Sequence, residues 1–175
     1  LNKNIDYAYY LLGLCYYEQI VDEKKDLQSI TNAKKNFKIL IKKFPNTDYA
    51  IDARFKIDLI NDILASKEMY IGRYYIQKEK WIAAINRFRT VVDIYDTTIY
   101  SEEALHRLVE IHYYLGLKKE AERYANLLGY NYQSSEWYKK SYSIFNLTYE
   151  QNRKQLVEKN KKSKKIIKKI KSLMN

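Results

Sequence analysis

Residues 65–98 of this 175-residue chain fit one 34-residue helix-turn-helix repeat. Repeats of this kind carry small or apolar residues at fixed positions, where two antiparallel helices cross and where one unit packs on the next. If Ala65 is the first position, Gly72 lies at the eighth, Ala84 at the twentieth and Phe88 at the twenty-fourth. A close helix crossing needs residues with little or no side chain at the contact. Gly72 and Ala84 therefore predict two closely packed antiparallel helices.

The same pattern can be placed on both sides of this unit. Upstream it gives Gly13 in a first helix and, after an inserted loop, Phe37 in a second helix. Downstream it gives Leu105 and Ala121. The chain has one Pro and four Gly, and its apolar residues recur at intervals typical of helices. We therefore predict an all-α fold, an α-solenoid of tetratricopeptide-like helix-turn-helix repeats. An irregular helical bundle would have much the same core and is the alternative.

The pattern predicts eight helices, at roughly 4–18, 30–44, 48–62, 63–78, 81–95, 101–115, 118–129 and 134–157. The turn near Asn61 and Asp62 contains no Gly or Pro and is expected because the 34-residue register requires it. The last helix has an apolar stripe that can close the open end of the stack, formed by Trp137, Tyr138, Tyr142 and Phe145.

Hydroxyl and glycine residues mark several expected helix ends. Thr47, Ser101 and either Ser134 or Ser135 are expected N-caps, because a hydroxyl oxygen can accept a hydrogen bond from an otherwise unpaired amide. Gly116 is expected to end the helix that begins at Ser101.

The net charge of +11 is concentrated at one end of the chain. Residues 151–175 contain ten Lys or Arg and one acid, a net charge of +9, which leaves +2 for the other 150 residues. We predict a solenoid of about four helix pairs in residues 1–150, followed by a basic, helical tail in residues 151–175.

On a helix, this tail would have one apolar face, formed by Ile166, Ile167, Ile170, Leu173 and Met174. The opposite face would be rich in Lys, which suits an anionic membrane surface or an acidic partner. The candidate lysines for this contact are Lys161, Lys162, Lys164, Lys165, Lys168 and Lys169. A solvated, partly disordered extension is the alternative.

No residue pattern typical of catalysis, a metal site or a cofactor site occurs in the sequence. His106 and His112 are six residues apart, whereas a helical metal pair is spaced by four. No Gly-rich phosphate loop or nucleophile elbow is present. Cys15 is expected to be a small buried hydrophobe. We expect no catalytic residue, metal or cofactor, and no nucleic acid partner, since no aromatic residue follows Tyr149 in the basic region.

Three ordered segments carry a family resemblance that extends over about residues 5–145. They are residues 45–53, then residues 64–68 leading into Gly72-Arg73-Tyr74-Tyr75, and finally residues 128–131 before Trp137-Tyr138. Together they resemble the BamD family of outer-membrane assembly lipoproteins, in its alphaproteobacterial form.

The resemblance implies a non-catalytic scaffold subunit of the outer-membrane β-barrel assembly machinery of Gram-negative bacteria. Members of this family are lipid-anchored at the periplasmic face of the outer membrane. They bind the periplasmic domains of the barrel-assembly protein, act with other assembly lipoproteins and help receive unfolded outer-membrane proteins. This chain lacks the signal sequence, the lipidated Cys and about the first repeat, so we expect a truncated chain. A generic soluble tetratricopeptide adaptor for another partner peptide is the alternative.

The first helices of successive repeats line the concave face of such a solenoid. Aromatic rings with one Arg suit a partner segment that offers apolar side chains and a carboxylate, because stacking supplies contact area and the guanidinium can hold the acid. The expected groove residues are Tyr7, Tyr10, Tyr17, Met69, Arg73, Gln77, His106 and Tyr113. Some of these Tyr rings could instead simply pack on a neighbouring helix.

Overall fold

The computed structural model describes residues 4–20 and 27–146, and every described element is a helix or a connecting turn. Six helices have defined ends: α1 (Ile5–Glu18), α2 (Leu27–Lys43), α3 (Asp48–Gln77), α4 (Trp81–Ile94), α5 (Ser101–Tyr114) and α6 (Lys118–Asn131). A further helix, α7, occupies residues 136–146 within the described part of the chain. The predicted loop centre at 21–26 and the predicted basic tail lie outside the described residues.

Successive helices pack on one another in chain order, from α1 on α2 through to α5 on α6. The pairs α1–α2, α3–α4 and α5–α6 are the helix-turn-helix units, and α1 also contacts α3. The fold is an all-α solenoid of tetratricopeptide-like units, as the sequence predicts.

The predicted turn near Asn61 and Asp62 is wrong, because α3 is one continuous helix of 30 residues. Its buried face rotates along its length, from Ala53 and Ile60 in the first half to Ala65 and Met69 in the second. This rotation lets one continuous helix serve two neighbouring units. No backbone break is needed, and without Pro there is no local reason for one.

Two hydrophobic cores result from this arrangement. The first core lies between α1, α2 and the first half of α3, and its buried residues are Ile30, Ala33, Phe37, Leu40, Ala50, Ala53 and Ile60. The second core begins at Ala65 and extends through α4, α5 and α6 to the aromatic residues of α7. The second half of α3 therefore belongs to the larger core.

Both glycines of the repeat pattern lie at close helix crossings, as predicted, and each faces a Phe ring there. A Cβ atom on Gly13 would lie 2.6 Å from Cε1 of Phe37, and one on Gly72 would lie 2.7 Å from Cε1 of Phe88. The absence of a side chain at these two positions is what brings the helices of each pair so close.

The helix ends confirm most of the predicted caps. The amide of Ala50 donates to the hydroxyl of Thr47 at 3.3 Å, and the amide of Tyr138 donates to the hydroxyl of Ser135 at 3.0 Å. Gly116 has a positive φ of 78° just after α5 ends, as expected for a glycine that terminates a helix.

Two local predictions are wrong. Ser101 is the first residue of α5 rather than its N-cap, and its hydroxyl donates to the carbonyl of Tyr95 at 2.9 Å. The N-cap position is held by Tyr100, which makes no side-chain cap hydrogen bond. Cys15 is exposed, because it lies on the side of α1 that faces away from α2.

Helix α7 covers the end of the second core. Trp137, Tyr138 and Phe145 pack against that core, as predicted, whereas Tyr142 is exposed. The ring of Tyr138 packs directly on Gly129 of α6, since a Cβ on Gly129 would lie 2.9 Å from Cε2 of Tyr138.

Candidate functional site

The first helices of the first two pairs, α1 and α3, lie side by side and form a seam of aromatic and charged residues. The rings of Tyr7 and Tyr49 have centroids 5.2 Å apart, and the Tyr10 hydroxyl donates to Asp52 Oδ2 at 2.7 Å. Further along, the ammonium of Lys56 lies 5.0 Å from the centre of the Tyr17 ring. The contacting residue numbers rise together in both helices, so the two helices run parallel.

Tyr10 is held in the seam on three sides. Its hydroxyl is bound by Asp52, and its ring lies 6.3 Å from the ring of Phe37 and 5.2 Å from that of Tyr49. The hydrogen bond to the Asp52 carboxylate, with burial and the nearby negative charge, raises the pKa of Tyr10 to about 12. Tyr10 is therefore a neutral hydrogen-bond donor that fixes α1 to α3.

An apolar ridge that the sequence reasoning missed lies on the first half of α3. Ile51, Phe55 and Leu59 are spaced by four residues and so lie on one face of the helix, where 48%, 64% and 50% of their surfaces are exposed. We call these three residues the α3 ridge. The i, i+4, i+8 spacing was visible in the sequence, but the repeat register placed a turn near Asn61 and Asp62 and assigned this segment to none of the matched units.

A chain of ion pairs links the second half of α3 to α5. One guanidinium nitrogen of Arg73, Nη1, donates to both carboxylate oxygens of Glu103 at 3.0 Å. Arg107 Nε donates to Glu103 at 3.3 Å, and Arg107 Nη1 donates to Glu110 at 2.7 Å. The guanidinium predicted to hold a partner's carboxylate is thus already engaged by a carboxylate of this chain.

His106 extends this network into the protein interior. Its Nδ1 lies 2.8 Å from the hydroxyl of the fully buried Ser141 on α7, and its Nε2 lies 3.3 Å from Glu110. Burial by itself raises the pKa of Glu110, but hydrogen bonds from His106 and Arg107 outweigh it and hold this pKa below its ordinary value. The imidazole therefore joins α5 to the closing helix.

The structure corrects two of the predicted groove residues. Met69 is completely buried in the second core, and His106 is almost completely buried against α7, so neither can line a groove. The template placed them on the open face, but the rotation of α3 buries the first and the docking of α7 covers the second. Gln77 is exposed, and Tyr113 is half-buried, with its ring nearly perpendicular to that of Phe145 and the centroids 5.5 Å apart.

The remaining predicted residues Tyr7, Tyr10 and Tyr17 lie in the seam, and Arg73 lies in the ion-pair chain. The candidate tail lysines lie outside the described residues. Within 4–20 and 27–146, no cluster of three or more His, Cys, Asp or Glu side chains is arranged to hold a metal ion. No helix in the same ranges has the length and hydropathy needed to cross a membrane.

Stacked antiparallel helix pairs whose first helices share a continuous seam define a tetratricopeptide-like solenoid, a class of repeat protein whose extended surfaces bind other proteins. The profile of the YfiO family, described as outer membrane lipoprotein, matches residues 1–127. The chain belongs to this family.

Similar proteins from three bacteria each carry the name outer membrane protein assembly factor BamD. The chain is 52% identical to the Rickettsia prowazekii protein over 143 residues, covering 82% of this chain and 57% of the relative. It is 44% identical to the Caulobacter vibrioides protein, covering 83% and 48%, and 31% identical to that of Neisseria meningitidis serogroup A, covering 77% and 54%. The chain thus spans about half the length of these relatives.

Proposed function

We propose that this chain is part of a non-catalytic scaffold subunit of the outer-membrane β-barrel assembly machinery. The observation that carries this proposal is the match to relatives named as outer membrane protein assembly factors, over more than four fifths of the chain. A solenoid of paired helices suits this role, because its exposed faces offer long surfaces for several partners at once. On this proposal the protein works at the periplasmic face of the outer membrane, where a lipid anchor holds the full-length protein.

The proposed partners are the periplasmic domains of the barrel-assembly protein, other assembly lipoproteins and segments of unfolded outer-membrane proteins. The open face of α1 and α3 is the proposed contact for the unfolded segments. Tyr7 and the α3 ridge offer exposed apolar surface there, with Gln77 further along α3. Because Arg73 is paired with Glu103, apolar contact rather than capture of a carboxylate is expected to supply most of the affinity.

Co-purification tests the proposed membership of the machinery. An affinity-tagged copy, exported to the periplasm of a Gram-negative host that depends on its own assembly factor, is expected to co-purify the barrel-assembly protein. The tagged copy is also expected to compete with the host assembly factor for the barrel-assembly protein. A well-folded copy that recovers none of the machinery would leave only the class of adaptor for another partner peptide.

A peptide titration tests the open face separately. A peptide from the carboxyl terminus of an outer-membrane barrel is expected to bind, and Tyr7→Ala combined with Phe55→Ala is expected to weaken binding by about 2 kcal/mol, since a few aromatic residues dominate most interfaces. The control is Ile82→Ala on α4, whose side chain is 69% exposed outside this face. Equal affinity of both variants would exclude the open face as the peptide site.

A further inference from the structure

The α3 ridge is bordered by acidic residues that have no cationic partner within the described part of the chain. Asp48 and Asp62 lie seven residues before and after Phe55, so they share its face of α3, and Asp58 lies one turn along from the ridge. None of the three is in an ion pair among the described residues, whereas Asp52 is bound by Tyr10 and Lys56.

The neighbouring surface is also acidic on the α1 side of the ridge, whereas on the α2 side Lys34 donates to the Asn61 side chain at 2.6 Å. Helix α1 contains Asp6 and Glu18 and no Lys or Arg. The two cationic residues in the first half of α3 have partners inside the chain: Arg54 donates to the carbonyl of Pro45 at 2.9 Å, and Lys56 lies against Asp52 and the Tyr17 ring. An apolar ridge with uncompensated acids on its borders therefore stands out on a chain whose net charge is +11.

The carboxyl-terminal segment of the same chain has the complementary chemistry. Residues 159–175 contain eight Lys and no acid, and their apolar residues recur at helical spacing from Ile166 to Met174. A helix rises 1.5 Å per residue, so this stripe and the α3 ridge, each spanning eight steps, would both be about 12 Å long. Twelve residues separate the described end of α7 from Lys159, and they can extend by roughly 40 Å.

We propose that residues 159–175 dock as an amphipathic helix on the α3 ridge of their own chain. The apolar face covers Ile51, Phe55 and Leu59, while the lysines face Asp48, Asp58 and Asp62. Burial of exposed apolar surface supplies the affinity, and the charges set the position and the orientation. The acidic partner of the basic tail is then the first half of α3 in the same chain. This inference does not depend on the proposed function, and a tail docked on the α3 ridge would compete there with the unfolded segments proposed above.

Zero-length crosslinking of the full chain tests this contact directly, because a carbodiimide joins a lysine amine only to a carboxylate that touches it. At low protein concentration, in the monomer band of a denaturing gel, we expect crosslinks from Asp58 or Asp62 to lysines in residues 159–175. Absence of these crosslinks from the monomer band would overturn the proposal.

A pair of matched variants tests the apolar part. Phe55→Ser with Leu59→Ser is expected to reduce the crosslink yield by about tenfold, since two exposed apolar contacts are lost. Ile82→Ser with Ile94→Ser removes comparably exposed side chains from α4 and is expected to leave the yield unchanged. All four positions are exposed, so the fold is retained, which circular dichroism checks. An equal yield in both variants would contradict docking on the ridge.

A charge exchange tests the orientation. Asp58→Lys with Asp62→Lys is expected to abolish the crosslinks, and adding Lys168→Glu with Lys169→Glu is expected to restore them with the reactive groups reversed. Failure of the exchange to restore them would contradict the proposed pairing.

Vesicles of phosphatidylcholine with phosphatidylglycerol provide the competing outcome. Strong flotation of the chain that depends on Lys168 and Lys169, together with no crosslinks to α3, would assign the tail to a membrane surface and overturn the proposal.

Discussion

The two halves of α3 have the same backbone conformation and opposite roles. In the first half, one side packs on α2 and the other exposes the α3 ridge and its acids. In the second half, Ala65 and Met69 are fully buried, Glu68 pairs with Arg87 at 3.1 Å, and Arg73 pairs with Glu103 at 3.0 Å. The difference comes from the neighbouring helices: α4 and α5 cover the face that bears Ala65 and Met69, although Tyr70 and Tyr74 stay exposed on the other side, and nothing described covers the ridge of the first half.

The largest expected effect comes from emptying one of the two cores. Phe88→Ala is expected to lower the free energy of unfolding by about 3–5 kcal/mol, because its side chain is completely buried and the cavity cannot fully collapse. Urea denaturation measures this loss. Hydrogen exchange should then speed up more in residues 65–77 than in 48–62, and Phe37→Ala should show the reverse. Equal acceleration along α3 would mean that its two halves open as one cooperative unit.

Adding a methyl group at each of the two glycine crossings is expected to give a smaller difference in stability between the two cores. Gly72→Ala would place Cβ 2.7 Å from the Phe88 ring in the second core. Because this overpacks the core, the free energy of unfolding is expected to fall by about 1–3 kcal/mol. Gly13→Ala meets Phe37 at 2.6 Å, but α1 can shift because its outer side, with Leu12 and Cys15, is exposed. Its expected loss is about 1 kcal/mol smaller, because a shift of α1 relieves part of the overpacking. Equal melting temperatures for the two variants would contradict this difference in room to move.

The closing helix should show a smaller effect. Ser141→Ala removes the partner of His106 Nδ1 in the buried interior, which is expected to cost about 1–2 kcal/mol. Ser143→Ala is the matched control on the same helix, since its hydroxyl is exposed and bonds only to the Lys140 carbonyl. Thermal unfolding compares the two. A change no larger than that of the control would mean that the hydrogen bond to His106 adds no stability.

The smallest expected effect is on the pH dependence of stability, through Glu110 in the ion-pair network of α5. The pKa of Glu110 is lower in the folded chain than in the unfolded chain, so the folded state binds fewer protons at this carboxyl. Its contribution is fully present above the unfolded pKa and is lost as the pH falls through the folded pKa. Glu110→Gln is therefore expected to flatten the stability profile between about pH 5 and pH 3, measured by urea denaturation. Glu122→Gln, an exposed residue of α6, is the control. The same profile for Glu110→Gln and the parent would show that the network does not hold this carboxylate.

Helix positions and core contacts were predictable because they depend on spacing along the chain. The recurrence of apolar residues places most helix ends within a few residues, and Gly72 with Ala84 identifies a close helix crossing. Thr47 and Ser135 were recognisable as caps because a cap bonds to an amide only three residues away. These cap contacts lie within one helical turn, where the sequence itself fixes the geometry.

The candidate site was only partly predictable. The seam residues Tyr7, Tyr10 and Tyr17 follow from the template, but the α3 ridge was missed because the template required a turn within α3. The burial of Met69 and His106 depends on the rotation of α3 and the docking of α7, which are contacts between helices rather than within one.

The sequence by itself determined that this chain forms paired helices, where the pairs cross most closely, and that its charge lies in the last 25 residues. The tertiary structure decided which side chains of those helices remain exposed. A helix of uniform geometry presents every face equally, so exposure is set only by what packs on each face. That is why most residues of α3 could be predicted as helical, while the exposure of its apolar face was decided only by the positions of α1, α2 and α4.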